Sequence, residues 1–452
     1  MSEGLKGNKP RFCKSGVSVQ TSLKAIAKKA KEQPEYQFRN LYGMIDIELL
    51  KLAWRELNKK AVAGVDRVTA QDYAKNLDAN LIDLVDRLIR DAYRARLVKQ
   101  KLIQKSPGKT RSLGILVLED RLLQTAVAMI LNAIYEPTFL DSSFGYRKGK
   151  DAKTAVKALR DELNFGEYHY VIEADIKGFF DNISHDRTLR LLGVRINDKK
   201  LLRLIKKWLN AGILGEDGKV INPLTGTPQG GIVSPVLANV YLHYVLDRWV
   251  EGQVRRVPNA RLTYVRYADD FVLAVGGGYD PHVLLQSISD RLLLKGDLEL
   301  AEDKTKVIRF SRYAGKENGR FDFLGFEISW GKARSGMPNV KRRTGRRRIR
   351  RAIKETTEWI KANRSTKLNS MLEQLNQKFR GHYQYYGVIG NHDALKIYYY
   401  NVLKSLFKWL NRRSQKKSFT WKQFLERVRP KLTSPTITEK QVLQLPLPGI
   451  RC

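Results

Sequence analysis

Apolar positions along this chain change their period several times, and each change marks an element. Between Tyr42 and Tyr93 they recur every three or four residues, the spacing of helices that bury one face. That pattern breaks at "AVAGVDRVTAQD", where Gly64 and Asp66 predict a turn and Thr69 a cap for the next helix. "VKQKLIQKSPGKTRSLGIL" reads as two extended runs about the turn Ser106-Pro107-Gly108-Lys109. The long apolar-periodic stretch "EDRLLQTAVAMILNAIYEPTF" is helix. "YHYVIEADIKGFFDNI" predicts a strand ending near Asp175, then a turn and a helix from about Ser184. "SPVLANVYLHYVLDRWV" predicts a helix with Ser234 as N-cap and Pro235 at its first position. "RLTYVRYADDFVLAVGGG" sets two β-type runs on either side of Asp269-Asp270, as in a hairpin. After a further helix and "DFLGFEISW", the basic stretch "GKARSGMPNVKRRTGRRRIRR" reads as a linker or groove lining. Helical patterning returns in "LEQLNQKFRGHYQYYG" and "LKIYYYNVLKSLFKWLNRRS". No internal repeat is present.

Composition narrows the function. Lys and Arg number 83 against 46 Asp and Glu, a formal net charge of +37 over 452 residues. Self-repulsion of that size works against a compact state, so a polyanionic partner is implied. Nucleic acid fits, because each phosphate neutralised by Lys or Arg releases condensed counterions. A membrane surface would call for a basic amphipathic helix beside a lipid signal, and neither is found. No apolar run approaches the roughly 20 residues of a membrane span. The two cysteines, Cys13 and Cys452, exclude a disulfide framework and a Cys-rich zinc site within the chain. With no apolar leader at the N-terminus, the expectation is an intracellular protein bound to nucleic acid.

The most informative chemistry lies in the carboxylates. Two-residue hairpin turns favour Asn-Gly or Asp-Gly, so turn chemistry does not explain Asp269-Asp270. Adjacent carboxylates repel, and shielding them from water is costly unless a cation compensates. Mg²⁺, which takes a few carboxylates together with substrate phosphates, is the natural cation. For the hairpin alone the alternative is an exposed acidic loop tip without a role. Asp175, at the end of another apolar strand, changes that: neighbouring strands would bring it to Asp269 at one sheet edge. Three such carboxylates can hold two metal ions about 4 Å apart, the geometry of in-line phosphoryl transfer. Asp181 is better explained as closing a turn, and Asp186 as favouring a helix N-terminus.

Taken together and in order, these segments resemble a known family. "RYADDFVL", "EADIKGFFDNISHD" and "GTPQGGIVSPVLANVYLHYVLD" resemble the palm motifs of group II intron-encoded reverse transcriptases, which double as maturases. "KAVAGVDRVT" resembles the family's N-terminal extension, and "KSPGKTRSLGI", "EDRLLQTAV" and "YEPTFLDSSFGYRKGKDAKTA" its fingers. "LELAEDKTKV" and "FDFLGF" are similar to later palm motifs; "LNQKFRGHYQYYG" with "WLNRRSQKKSFTWKQF" is similar to the maturase region. The resemblance runs from about residue 36 to residue 427.

It implies an α+β right-hand polymerase of fingers and palm, followed by an α-helical thumb continuous with the maturase region. The expected segments are 1–95, an N-terminal extension with basic helices; 96–330, fingers and palm; 331–410, thumb and maturase region; and 411–452, a basic segment with a DNA-binding role. By the resemblance Asp175 and Asp269 ligate two Mg²⁺ ions, for which Mn²⁺ can substitute, with Asp270 supporting and the Ile176 carbonyl assisting. Phe180 corresponds to the steric gate against a ribose 2′-hydroxyl, with Phe179 the next candidate. Lys105 and Arg111 correspond to residues that grip the incoming dNTP, Gln229 to the nucleotide and template pocket, and Lys304 or Lys306 to a palm lysine near the triphosphate. Gly230 and Gly231 would let backbone approach the substrate; the alternative is an ordinary loop before a helix.

Arg342, Arg343, Arg346, Arg347, Arg348, Arg350 and Arg351 are candidate RNA contacts; the alternative is a disordered basic linker. The aromatics that follow, Tyr383 to Trp421, are mostly expected in a core. The family pattern departs mildly at Ile115, Leu116 and Val117 and at Phe144 and Tyr146, and more at the end, where no paired-cysteine HNH endonuclease segment is found. The implied function is RNA-directed DNA synthesis on an RNA template with a DNA primer. Binding of group II intron RNA as a splicing maturase and retrohoming into target DNA go with it, in a cytoplasmic ribonucleoprotein of a bacterial host. The rival classes are an intron-independent reverse transcriptase of defence or repair, and a maturase acting only as an RNA-binding splicing factor.

Overall fold

The computed structural model describes residues 19–106, 109–413 and 418–439. The basic segment "KGNKPRFCKSG", the turn residues Pro107 and Gly108, Cys13 and Cys452 lie outside them, as does the side chain of Lys105. The described residues contain eleven strands: β1 (Val98–Ser106), β2 (Lys109–Ile115), β3 (Tyr170–Asp175), β4 (Ile213–Leu214), β5 (Val220–Ile221), β6 (Leu262–Tyr267), β7 (Asp270–Val275), β8 (Lys306–Arg309), β9 (Arg320–Phe323), β10 (Phe326–Lys332) and β11 (Pro338–Thr344). The chain divides into two compact units, Met1–Phe139 with Phe180–His243, and Leu140–Phe179 with Tyr244–Cys452.

The first unit is built on the helix Leu118–Tyr135, apolar on nearly every face and buried accordingly. Helices Val19–Glu32 and Ile47–Glu56 pack on it. Local chemistry sets their ends. Asp46 accepts from the Leu49 N–H at 2.8 Å, and Thr69 forms a capping box with Asp72, as its position predicts. Arg195, almost wholly buried, donates to the carbonyls of Ala30, Gln33 and Tyr36, satisfying oxygens at the end of the first helix. The hairpin β1–β2 is antiparallel, with Lys99 opposite Ile115, and the sheet order is β2-β1-β4-β5.

Ser234 is not the N-cap that "SP" suggests. Val233 holds the cap position, and Ser234 sits inside the helix Ser234–Leu242 with Pro235. Its hydroxyl is engaged by Thr227 Oγ1 at 2.6 Å and the Pro228 carbonyl at 3.1 Å, so tertiary partners outcompete the cap.

The second unit holds an antiparallel sheet of order β6-β7-β3-β8. One face is covered by the helix Ala152–Phe165, whose Ala155, Val156, Leu159 and Leu163 pack on Val171, Val265, Val272 and Ala274. The stretch read as a linker or groove lining is ordered secondary structure. Pro338–Thr344 is the third strand of a sheet ordered β11-β10-β9, and the helix Arg346–Ala362 begins two residues later. Strand alternation turns Val340, Arg342 and Thr344 inward and Arg343 outward. Arg342 is therefore buried, at 3% exposure, and meets Glu439 Oε1 and Oε2 at 2.7 and 2.5 Å. It is removed from the candidate RNA contacts, because its guanidinium serves an internal ion pair.

A further core joins Ile360, Leu372, Phe379, Tyr383, Tyr398 and Leu406 to Phe424, Val428 and Leu432. Strand β10 runs across residue 330, and Phe424, beyond residue 410, lies in the helical core. Among the described residues no helix is long and apolar enough to cross a membrane.

Candidate active site

The site candidate in the second unit is set by strand register. β3 pairs antiparallel with β7, and the last pair of that ladder is Asp175 opposite Asp270. β7 also pairs with β6, whose last residue, Tyr267, faces Asp270. The hairpin turn is therefore centred on Ala268 and Asp269, one residue earlier than the Asp269-Asp270 centre read from the sequence. Ala268 takes the left-handed conformation, with φ +58°. Asp269 stays in the turn while Asp270 starts a strand, so two adjacent carboxylates acquire different settings. Period two then puts Glu173 on the same side of β3 as Asp175.

The electrostatics follow from this crowding. Burial, with Asp175, Asp269 and Glu173 adding repulsion, pushes the Asp270 carboxyl up to about 8, and Lys304 opposes the shift. Burial likewise raises Glu173 to about 7, against the pull of Lys306, which stands opposite it on β8. Lys304 reaches Asp175 and forms an ion pair with its Oδ2. Burial disfavours the Lys304 ammonium, yet Asp175, with Asp303 and Asp269, raises its pKa overall. The backbone prepares this contact: Ala301 N–H donates to the Asp175 carbonyl at 2.8 Å, and Lys304 N–H to the Ala301 carbonyl at 3.0 Å. Ile176 is buried and bridges Leu300. The two candidate lysines differ by position. Lys304 lies on Asp175 and Lys306 opposite Glu173.

Among the described residues no three His, Cys, Asp or Glu are grouped closely enough to hold a metal ion. The charge balance nevertheless fits a cation. Three carboxylates bear on Asp270, one lysine opposes them, and that lysine already sits on the Asp175 oxygen as counter-charge. Glu173 joins the group without having been a candidate from sequence; its signal is a carboxylate in an otherwise apolar strand, two positions before Asp175.

The remaining candidates divide between the two units. In the first, Arg111 on β2 donates from Nε to Gln229 Oε1 at 2.5 Å, so two residues assigned separately are one contact. Asp181 is raised by burial and drawn down by Arg111, and it lies in the short helix Phe179–Asn182. The glycine after Gln229 has a structural reason. Gly230 has φ +119°, and a Cβ there would stand 2.3 Å from the Gly114 carbonyl of β2. Its closeness is to the hairpin backbone. Phe180, in the first unit, and Phe179, in the second, are both buried, at 7% and 1% exposure. Lys105 lies on β1. In the second unit, Arg343, Arg346, Arg347, Arg348, Arg350 and Arg351 are all exposed, with Arg351 donating to Glu355 at 2.6 Å.

Residues 103–328 match the family described as reverse transcriptase (RNA-dependent DNA polymerase), and residues 346–428 match the group II intron, maturase-specific domain. The group II intron-encoded protein LtrA of Lactococcus lactis subsp. cremoris is 30% identical over 475 aligned positions, covering 85% of this chain and 76% of the relative. An uncharacterized 91 kDa protein in the cob intron of Schizosaccharomyces pombe is 28% identical, covering 86% of this chain and 56% of its own length. Protein YkfC of Escherichia coli is 31% identical over 61% of this chain and 78% of the relative.

The crowding makes a thermodynamic prediction. A carboxyl whose folded pKa is raised holds a proton that the unfolded chain has released. Its contribution to stability therefore falls as pH rises from the ordinary value of 3.8 through about 8. Asp270→Asn removes that loss. The variant should melt at least roughly 2 °C above the parent at pH 8 without divalent cations, and the gap should narrow at pH 5 and on adding Mg²⁺. Equal Tm values at pH 8 would contradict the crowding.

Proposed function

Because the chain belongs to the group II intron-encoded reverse transcriptases, and is an RNA-directed DNA polymerase with a maturase-specific domain, we propose that Asp175, Asp269 and Asp270 are its catalytic carboxylates. In this reading the sheet β6-β7-β3-β8 is the palm of a right-hand polymerase and the hairpin β1–β2 its fingers. The helices from Arg346 onward are its thumb and maturase region. The reaction is template-directed transfer of a deoxynucleotide to a primer 3′-hydroxyl, with RNA as template. The observation that carries the reading is the register of Asp175 against Asp270, with Asp269 in the adjoining turn.

Asp175 and Asp269, supported by Asp270 and the Ile176 carbonyl, would hold two Mg²⁺ ions, or Mn²⁺ in their place. Such ions would supply a lowered pKa at the primer hydroxyl and charge neutralisation on the triphosphate. The protein's own groups do the positioning. Lys304 balances Asp175 before substrate arrives and then exchanges that carboxylate for a triphosphate oxygen. Arg111, steadied by Gln229, grips the triphosphate with a planar fork, and Lys105 adds a point charge. Phe180 fills the space that a ribose 2′-hydroxyl would need, with Phe179 as the second candidate for that role. Arg343, Arg346, Arg347, Arg348, Arg350 and Arg351 hold the phosphates of group II intron RNA, read by shape and backbone. Retrohoming by cDNA synthesis primed at target DNA, from a ribonucleoprotein in a bacterial cytoplasm, completes the proposal.

Asp269→Ala or Asp175→Ala should lower primer extension on a defined RNA template by roughly a hundredfold or more. RNA affinity should stay nearly unchanged, because carboxylates serve the transition state while affinity comes from the basic surface. Synthesis within about tenfold of the parent would sink the assignment. In the same assay, Phe180→Ala should incorporate ribonucleotides more readily than the parent; unchanged discrimination would point to Phe179. RNA binding should weaken steeply with salt. Neutralising Arg346, Arg347, Arg348, Arg350 and Arg351 should flatten log K against log salt by roughly 0.7 to 0.9 per lost contact. A slope that stays the same would mean these arginines do not meet phosphate.

A further inference from the structure

The turn that carries Asp269 rests on a buried ionic network that the reaction itself does not call for. Arg266, on β6 two residues before Ala268, is wholly buried. Its guanidinium clasps Asp247 at both oxygens, Nε to Oδ1 at 2.7 Å and Nη2 to Oδ2 at 2.5 Å. The Tyr264 hydroxyl also donates to Asp247 Oδ1, at 2.8 Å. Nη2 of Arg266 reaches Ser143 Oγ at 2.8 Å, and Nη1 donates to the Ala268 carbonyl at 3.0 Å. The last bond matters most. That carbonyl belongs to the planar peptide leading into Asp269, so fixing its direction removes a soft degree of freedom beside the carboxylate.

A second element closes on the same turn. Phe144 N–H donates to the Arg266 carbonyl and Arg266 N–H to the Ser142 carbonyl, each at 2.8 Å, laying the segment 142–145 along β6. Arg147 braces that segment through the carbonyls of Leu140 and Ser143, at 2.6 and 2.7 Å. Gly145 comes so near that a Cβ there would stand 2.4 Å from the Ala268 nitrogen. The turn is thus held from two sides in a left-handed conformation that alanine rarely adopts.

Fold stability does not account for this arrangement. A fully buried ion pair is often no better than well-packed apolar residues of similar volume. A guanidinium alone combines a bidentate grip on a carboxylate with a spare donor aimed at a carbonyl; a lysine ammonium has no such fork. We infer that Arg266, anchored by Asp247, is a positioning residue that fixes the Ala268–Asp269 peptide and thereby aims the Asp269 carboxylate. This rests on the reading of Asp269 as catalytic.

The test is Arg266→Lys, which keeps the charge beside Asp247 and loses the fork. It is backed by the neutral pair Arg266→Gln/Asp247→Asn should the first fail to fold. Single-nucleotide addition to a primer on an RNA template, counted per titrated active site, should lose roughly tenfold to a hundredfold in kcat. KM for the template–primer should stay within about twofold, because the basic surface is untouched. Amide hydrogen exchange should quicken in the peptide spanning residues 264–275 and stay slow in β3. A purely structural role predicts the opposite: lower Tm, faster exchange across the whole sheet, and unchanged kcat per active site. Parental kcat with parental exchange in a folded variant would overturn the inference. Asp269→Ala runs beside it. If that variant keeps activity, the catalytic reading has failed. If it is dead while Arg266→Lys matches the parent, only the positioning role has failed.

Discussion

Like charges facing each other across a sheet are the constraint from which the rest of the site follows. Antiparallel pairing puts Asp175 directly opposite Asp270, with Asp269 one residue away in the turn and Glu173 two residues back on the same strand. Opposed like charges destabilise a sheet, and here burial removes the water that would screen them. The fold answers with lysines at chosen points, Lys304 on Asp175 and Lys306 across from Glu173, and by keeping Asp270 protonated near neutral pH. Each answer is provisional, since a lysine can swing away and a proton can leave. The site therefore carries, before substrate binds, the electrostatic stress that divalent cations and a triphosphate would relieve.

Positive charge is used in two ways, which a net charge of +37 does not separate. Arg195, Arg266 and Arg342 are turned inward and spent on carbonyls or carboxylates of the chain itself. They tie together segments far apart in sequence. The arginines from Arg346 to Arg351 point outward from a helix whose first turn holds no acidic residue, and Arg351 alone is described with a carboxylate partner on that helix, Glu355. Positive charge at a helix N-terminus runs against the helix dipole, so this end of the helix gains by meeting an anion. The maturase-specific domain begins at that same residue, Arg346.

What was legible in the sequence was what short-range periodicity encodes. The hairpin β1–β2, the strand ending at Asp175, the Thr69 cap and the aromatic helical core all follow from spacing that one element can express. Long-range partners decided the rest. Ser234 has the look of a cap, but Thr227 and Pro228 claim its hydroxyl. Arg342 sits in a run of arginines, and only its pairing with Glu439, 97 residues on, turns it inward. The alternation of Val340, Arg342 and Thr344 was a usable signal, obscured by the charge around it. The hairpin turn falls one residue earlier than its sequence suggests, because Asp-Asp looks more turn-like than Ala-Asp. The left-handed alanine is contacted from outside the turn, by Arg266 at its carbonyl and by Gly145 at its nitrogen. Glu173 was missed because a single carboxylate in a strand has no local meaning until its cross-strand neighbours are known.

On the proposed function, these carboxylates form a site for two divalent cations during RNA-templated DNA synthesis. The most direct test of that reading counts Mn²⁺ by electron paramagnetic resonance in the complex of protein, RNA template, dideoxy-terminated DNA primer and matching dNTP. The parent should bind two more ions than Asp175→Asn carrying the same nucleic acid and nucleotide. Equal counts for the parent and the variant, with both complexes fully assembled, would contradict it.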